Sequence, residues 1–429
     1  MPRVFFVVLF FLIVYRCAGQ NGDSIAAEIR LINREVVNQT GGAVISNRAM
    51  NVFLADKTGY LAGSDVLSFF TNYVTFNSTD GIFTVNHNFQ TPGGRDEPLK
   101  NLLSVGFNAN VNSIGAGFLD RRFDDELGLT INYKWLAKVK TKSDAYQQQF
   151  MNALRAGLVH TLESAIEKET AGFNTALNRV AAADINGANV DSARALIQNN
   201  FYADLKEKYQ ALFATQQAEL LTKTAYFKTI NFGYTSFTAT IPIIAPTYTV
   251  APAIPAAFTQ KHSYPIQLML AHTRLWEGSH WGRLFVTLGG SLLLNNSKLS
   301  YGVAKINPAA YTNMGGTDTL TLAKKEKVYM GRYQTFITPA ILGRIVYYPT
   351  NSHVGFSVMA EQHIGKDNLL NARVGVPIVL INSKKTPAVT FECYVAFFDM
   401  GHVVTNLQGR GKRTTVGIAA GIPFSRLMY

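Results

Sequence analysis

The feature that most restricts this chain is a strict two-residue alternation that recurs along its length. Leu103, Val105, Phe107 and Ala109 share one parity, and Ser104, Gly106, Asn108 and Asn110 the other. Leu127, Leu129, Ile131, Tyr133 and Trp135 oppose Gly128, Thr130, Asn132 and Lys134, and Phe83, Val85, His87 and Phe89 oppose Thr84, Asn86 and Asn88. The pattern returns late in the chain. Val354, Phe356, Val358 and Ala360 oppose Gly355, Ser357 and Glu361. Val389, Phe391, Cys393 and Val395 oppose Thr390, Glu392 and Tyr394, and Val416, Ile418, Ala420, Ile422 and Phe424 oppose Gly417, Ala419 and Gly421. A period of two means strands in a sheet with unlike faces.

The composition of the second face narrows the choice further. It is mostly Gly, Ser, Thr and Asn, where a water-facing sheet would carry Lys, Glu and Arg. Only 16% of the 429 residues are charged, against 47% apolar, whereas a soluble domain carries about 25% charged residues. Small uncharged residues suit a crowded barrel interior, and the apolar face then meets lipid. A secreted β-sandwich would need a second sheet to cover every apolar face. The fold expected is an all-β antiparallel transmembrane barrel of about 12 strands (10–14) with an α-helical insert. Strands are placed near 66–77, 81–90, 99–110, 127–139, 223–240, 262–276, 282–295, 329–348, 352–364, 368–382, 387–400 and 412–424. Turns fall at 77–81 and 366–368. Pro377 and Pro423 interrupt strand patterns and call for bulges or strand ends, because proline lacks a ladder donor.

Residues 1–19 read as a secretory signal: Arg3, an unbroken apolar run from Val4 to Val14, then the small residues Cys17, Ala18 and Gly19 before Gln20. The run is too short to cross a bilayer, which takes roughly 20 residues. Removing it leaves Cys393 as the one cysteine, so no internal disulfide forms. Residues 20–65 are assigned to an N-terminal periplasmic segment and 66–429 to the barrel. Within the barrel, residues 143–222 form the insert. Ser143 and Asp144 offer an N-cap, and Tyr146, Phe150, Leu154, Leu158, Leu162 and Ile166 form a helical stripe. A second helix starts near Asp191 with Leu196, Phe201, Leu205, Tyr209 or Leu212, and Leu220. Phe173, Leu177 and Val180 suggest a short helix between them, and Asn186-Gly187 a break.

These features together resemble outer-membrane β-barrels of the Bacteroidota type. The likeness is carried by the signal ending before Gln20, by the strand end Arg373-Val374-Gly375-Val376-Pro377, and by the last stretch from Val416 to Phe424 with the chain ending at Tyr429. It implies export through the general secretory pathway and localisation in the bacterial outer membrane. Phe424 and Tyr429 would then present the terminal aromatic signal that the outer-membrane insertion machinery reads.

No chemical motif stands out. The eight histidines form no HExxH or close ligand pair, there is no GxSxG, and Gly409-Arg410-Gly411-Lys412-Arg413 lacks phosphate-loop spacing. No cofactor, metal or enzymatic activity is expected. Lys134, Glu361, Arg373 and Glu392 fall on the small-residue faces and are the lumen-facing candidates. There they could line a channel or pair and fill the lumen. Lys324, Lys325 and Lys327, with Arg410, Lys412 and Arg413, are basic rim candidates that could meet lipopolysaccharide phosphates. The net charge of +12 favours anionic partners without naming one. Basic residues are not interleaved with exposed aromatics, so nucleic acid is not expected. Two functions fit. One is a porin-like or transport channel for small, anionic solutes. The other is a non-conducting scaffold or secretion and surface-assembly component that docks a protein partner through 143–222. The first requires an open polar lumen, the second a filled lumen and exposed apolar residues on the insert.

Overall fold

The computed structural model describes residues 22–39, 45–61, 72–78, 82–90, 100–110, 127–182, 190–243, 247–251, 259–262, 264–294, 304–306, 328–330, 335–365, 368–382, 387–401 and 414–425. The signal segment, Asn186-Gly187, the rim candidates Lys324, Lys325, Lys327, Arg410, Lys412 and Arg413, and Tyr429 lie outside them, and so does the side chain of Phe424. Twelve strands form the barrel: β1 (Asn72–Asn77), β2 (Ile82–Gln90), β3 (Asn101–Asn110), β4 (Leu127–Leu136), β5 (Thr229–Pro242), β6 (Ile266–Gly278), β7 (Gly282–Leu294), β8 (Thr338–Tyr348), β9 (Phe356–His363), β10 (Leu370–Ile381), β11 (Pro387–Phe397) and β12 (Thr414–Ser425). Each pairs antiparallel with its neighbours in sequence, and β1 pairs with β12, so the sheet closes on itself. All twelve expected strands are present. Closure leaves no unpaired edge in the wall, which is what a sheet in hydrocarbon requires. None of the described helices is long and apolar enough to cross a membrane. A closed barrel of twelve strands with an apolar outer wall fits an outer-membrane barrel.

The alternation sorts the two faces as the sequence demands. Thr84, Asn86, Asn88, Ser104, Thr130, Asn132, Thr390 and Ala419 are buried inside, while Phe83, Phe107, Ile131, Trp135, Val374, Leu380, Val416 and Ile422 are exposed outside. Polar interior groups bond across strands, as Asn132 does to Thr238 at 2.6 Å and Thr273 to Thr287 at 2.9 Å. Small inner residues make this packing possible. A Cβ on Gly106 would come within 2.5 Å of the Asn86 Oδ1. The prolines behave differently from each other. At Pro423 the β1–β12 register shifts, a bulge as expected. Pro377 sits inside β10 without a bulge; the β10 irregularity comes later, at Leu380/Ile381. Its carbonyl accepts from Gly355 N at 2.8 Å. The nitrogen of the same residue therefore faces β9, beyond Ser357–Gly375 where the regular β9–β10 pairing stops.

Strand direction alternates, so β1 begins and β12 ends at one mouth, called here the terminal mouth. Four strands precede the insert, and it therefore leaves from this same mouth. Residues 137–228 make this connection, whereas the other four between strands at this mouth are no longer than ten residues. At the opposite end the connections 243–265 and 295–337 are long and carry a small sheet of four short strands.

Among the described residues four helices accompany the barrel: α1 (Gly22–Gln39), α2 (Asn47–Thr58, continued by a 3-10 turn at Gly59–Leu61), α3 (Ala145–Ala182) and α4 (Val190–Lys223). The short middle helix expected around Phe173 does not exist; those residues belong to α3. α3 and α4 form an antiparallel hairpin. Phe173 stacks on Phe201 at 3.7 Å, and Lys208 meets Glu169 at 2.7 Å. At 1.5 Å per residue α3 is about 57 Å long. α1 packs on the hairpin with Ile25, Ala26 and Ile29 against Val159, Leu162, Ile166, Leu205 and Phe213. The expected α3 stripe holds only at its far end: Leu162 and Ile166 are buried, but Tyr146 and Phe150 are exposed.

Candidate functional site

The terminal mouth is filled by the segment that follows α1. Ser46 caps α2, its hydroxyl accepting from Ala49 N at 3.2 Å. Val52, Phe53, Leu54 and Ala55 are four consecutive apolar residues, and all four are buried. A helical turn that is apolar on every side must be enclosed on every side, and the turn from Val52 to Ala55 is. One hydrophobic core joins Val52, Phe53, Leu54, Tyr60 and Leu61 to the inner wall through Leu102, Phe232, Tyr234, Leu275, Phe285, Val346 and Val379, and to the insert through Met151, Ala218 and Leu221.

Polar contacts fix this plug on both sides. Towards the wall, Thr390 Oγ1 donates to Gly59 O at 3.0 Å and the Tyr348 hydroxyl to Tyr60 O at 2.8 Å. Glu277 of β6 accepts from Lys57 at 2.6 Å and from Arg283 of β7 at 2.8 Å, and the Arg283 guanidinium lies 3.7 Å from the centre of the Tyr60 ring. Burial pushes the Lys57 ammonium down to about 8. Arg283 adds to that shift and Glu277 opposes it. Towards the insert, Ser46 Oγ donates to Gln217 Oε1 at 2.9 Å and Arg48 Nη1 to Gln210 Oε1 at 3.3 Å, both on α4. A cleft of about 390 Å³ remains between α2, the end of α4 and the turns after β6 and β8, lined by Lys57, Tyr60, Phe227, Glu277 and Arg283 among others.

Deeper in the barrel lies a second polar group. Glu392 of β11, fully buried, meets Arg344 of β8 at 3.3 Å and Arg373 of β10 at 3.6 Å, and accepts the Ser357 hydroxyl of β9. The Arg373 guanidinium stacks over Tyr394 at 4.7 Å, whose hydroxyl donates to Asn77 Oδ1 at 2.6 Å. Gly375 makes room: a Cβ there would stand 2.7 Å from both the Glu392 Oε1 and the Ser357 Oγ. Arg344, Val346 and Tyr348 share one face of β8, so this cluster and the plug are joined through one strand.

The four lumen-facing candidates are thus distributed. Arg373 and Glu392 meet each other. Glu361 stands 3.5 Å from His363 on the same strand. Lys134 is fully buried on β4, five strands along the wall from β11. The sequence reading missed Arg344, Glu277, Arg283 and the whole of α2. The signal for α2 was available in the run from Val52 to Ala55, too uniformly apolar for a one-sided stripe. Arg344 stands at the inward parity of a segment apolar on both faces, where alternation is hard to read. Among the described residues no three His, Cys, Asp or Glu side chains are grouped to hold a metal ion.

A scan against protein-family models finds no match for the chain, and a search of curated proteins finds no matching sequence.

Proposed function

We propose that this protein is an outer-membrane barrel whose periplasmic mouth is closed by its own N-terminal helix, and that it serves as a non-conducting anchor presenting the α1–α3–α4 bundle to a protein partner. The observation that carries this reading is the single hydrophobic core shared by α2 and the inner wall. A passage for solutes would have to expel Phe53, Tyr60 and Leu61 from it. Apart from residues 137–228, which carry the insert, the long connections lie at the opposite end, and in such barrels the long loops are extracellular and the short turns periplasmic. The bundle therefore projects into the periplasm. Its far end carries apolar residues in solvent: Leu196 and Ile197 of α4 are 61% and 50% exposed. We place the proposed protein contact at this exposed pair. In this reading the chain is exported, inserted by the outer-membrane machinery and held by outer-membrane lipid and lipopolysaccharide. It has no enzymatic role, and its source is a bacterium of the Bacteroidota type. A porin-like or anion-selective channel remains the competing reading and requires α2 to leave the mouth.

Planar-bilayer recording of the purified full chain tests the proposal, with Phe53→Asp alongside. The wild type should insert in a heat-modifiable, folded form and carry no steady current, while Phe53→Asp, which puts a charge into the shared core, should conduct. Steady open-channel currents from the wild type would overturn the anchor reading in favour of the channel.

A further inference from the structure

The outer wall of β4, β5 and β6 changes character in register as it nears the terminal mouth. Ile131, Ala239 and Leu268 lie in one row across the three strands, and Tyr133, Phe237 and Leu270 in another two residues nearer the mouth. The following row is Trp135, Thr235 and His272. Past it the wall is continued by the short strand Lys140–Lys142, which pairs Lys140 with Asn231 and Lys142 with Thr229, and Asn231 in turn lies opposite Trp276. Val139 packs against the core inside, so Lys138 and Lys140 face outward with Lys142, and all three are exposed. Arg274 joins them: its Nε donates to the outward Asn231 at 3.0 Å and its guanidinium lies 5.2 Å from the Trp276 ring centre. That bond and that stacking fix the side chain while leaving the outer edge of the guanidinium to a ligand.

We infer that this sector of the wall binds the phosphate headgroups of anionic phospholipids in the leaflet at the terminal mouth. This rests on reading the barrel as membrane-embedded. Height along the wall selects the occupant. The cations begin where the apolar rows end, past an exposed tryptophan, and at that depth a barrel meets headgroups. Four outward cations face this level, three on residues 138–142 and one on β6. Asp144, which follows the lysines in sequence, is taken by Lys228 at 2.8 Å. The insert adds to the surface as it leaves the wall: Tyr146 and Phe150, one turn apart on α3, are 77% and 48% exposed and follow the lysines directly in sequence. Exposed aromatics beside cations are the composition of a segment that lies in the headgroup region. A lipid bound here touches both the barrel and the root of α3, and so would steady the bundle against the membrane plane.

The test uses the full chain in nanodiscs of equal phosphatidylglycerol and phosphatidylcholine, with retained lipids counted by native mass spectrometry. The wild type should keep phosphatidylglycerol in preference. Lys140→Gln with Arg274→Gln changes two exposed side chains and should lower that preference about fivefold per charge removed, at about 1 kcal/mol per cation near an anionic surface. The variant that also carries Lys138→Gln and Lys142→Gln should show none. Heat-modifiability confirms that each variant is folded, and the double variant decides if the quadruple one does not fold. Equal retention of both lipids by the wild type, or an unchanged preference in the folded double variant, would overturn the inference. A folded barrel with currents but intact lipid preference would sink only the anchor reading.

Discussion

The Tyr348 hydroxyl donates to the carbonyl of Tyr60 at 2.8 Å while the two rings meet edge to face, their centres 5.4 Å apart. The residues are 288 positions apart in sequence, one on the wall and one at the end of the plug. Their contact ties the N-terminal segment into the barrel at a point where Arg283 also covers the Tyr60 ring. Removing the hydroxyl leaves a buried carbonyl without this donor, a loss of about 1–3 kcal/mol. Tyr348→Phe is therefore expected to keep the barrel folded but loosen the plug. Arg48 and Lys57 are tryptic sites within α2, and cleavage there should quicken by roughly 5- to 150-fold if it follows the equilibrium opening of the segment. Cleavage at the wild-type rate would show that the plug is held without this bond.

Glu392 is the one carboxylate among the described residues that meets both Arg344 and Arg373. Replacing it by Gln removes the counter-charge that two guanidiniums inside the wall share. Breaking a buried pair from one side costs about 3–5 kcal/mol. Glu392→Gln should lower the unfolding free energy of the barrel in detergent by that order, read as a lower denaturant midpoint. Returning one neutral partner, in the double variant with Arg373→Met, should recover part of the loss. A midpoint within error of wild type would mean that the cluster is solvated rather than buried.

The strands were legible because a barrel wall imposes a local rule: neighbours along the chain face opposite solvents, so burial repeats every two residues. The rule fails where its premise does. On β8 the inward residues Ala340, Leu342 and Val346 are as apolar as the outward Ile341 and Ile345, and Val346 faces the core shared with α2 rather than water. Arg344 was hidden by this. The four-residue stripe on α3 failed for a geometric reason. Four residues advance about 400° around a helix, so each step drifts about 40°, and five steps carry the stripe from exposed Tyr146 to buried Ile166. The buried residues Met151, Arg155, Val159, Leu162 and Ile166 mix steps of three and four. The docking of α2 in the mouth was illegible for a third reason. What covers α2 comes from strands far away in sequence, and no local pattern announces them.

Lys57 gives the plug a pH dependence with a definite sign. Docked, its ammonium is held down to about 8 by burial, with Arg283 adding and Glu277 and Asp56 opposing; undocked in water it returns to about 10.4. Between these values the undocked segment binds more protons than the docked one, so docking strengthens as pH rises through that window. Below pH 8 Lys57 is charged in both states and the dependence vanishes; above about 10.5 it is neutral in both. Tryptic cleavage within α2, normalised to a peptide substrate at each pH, should therefore slow from pH 8 to pH 10. Lys57→Met, which keeps the length of the stem but cannot titrate, should abolish the slope, with Arg48 then serving as the reporting site. Cleavage that accelerates with pH in the wild type, or a slope that persists in Lys57→Met, would show that another group governs the closure of the mouth.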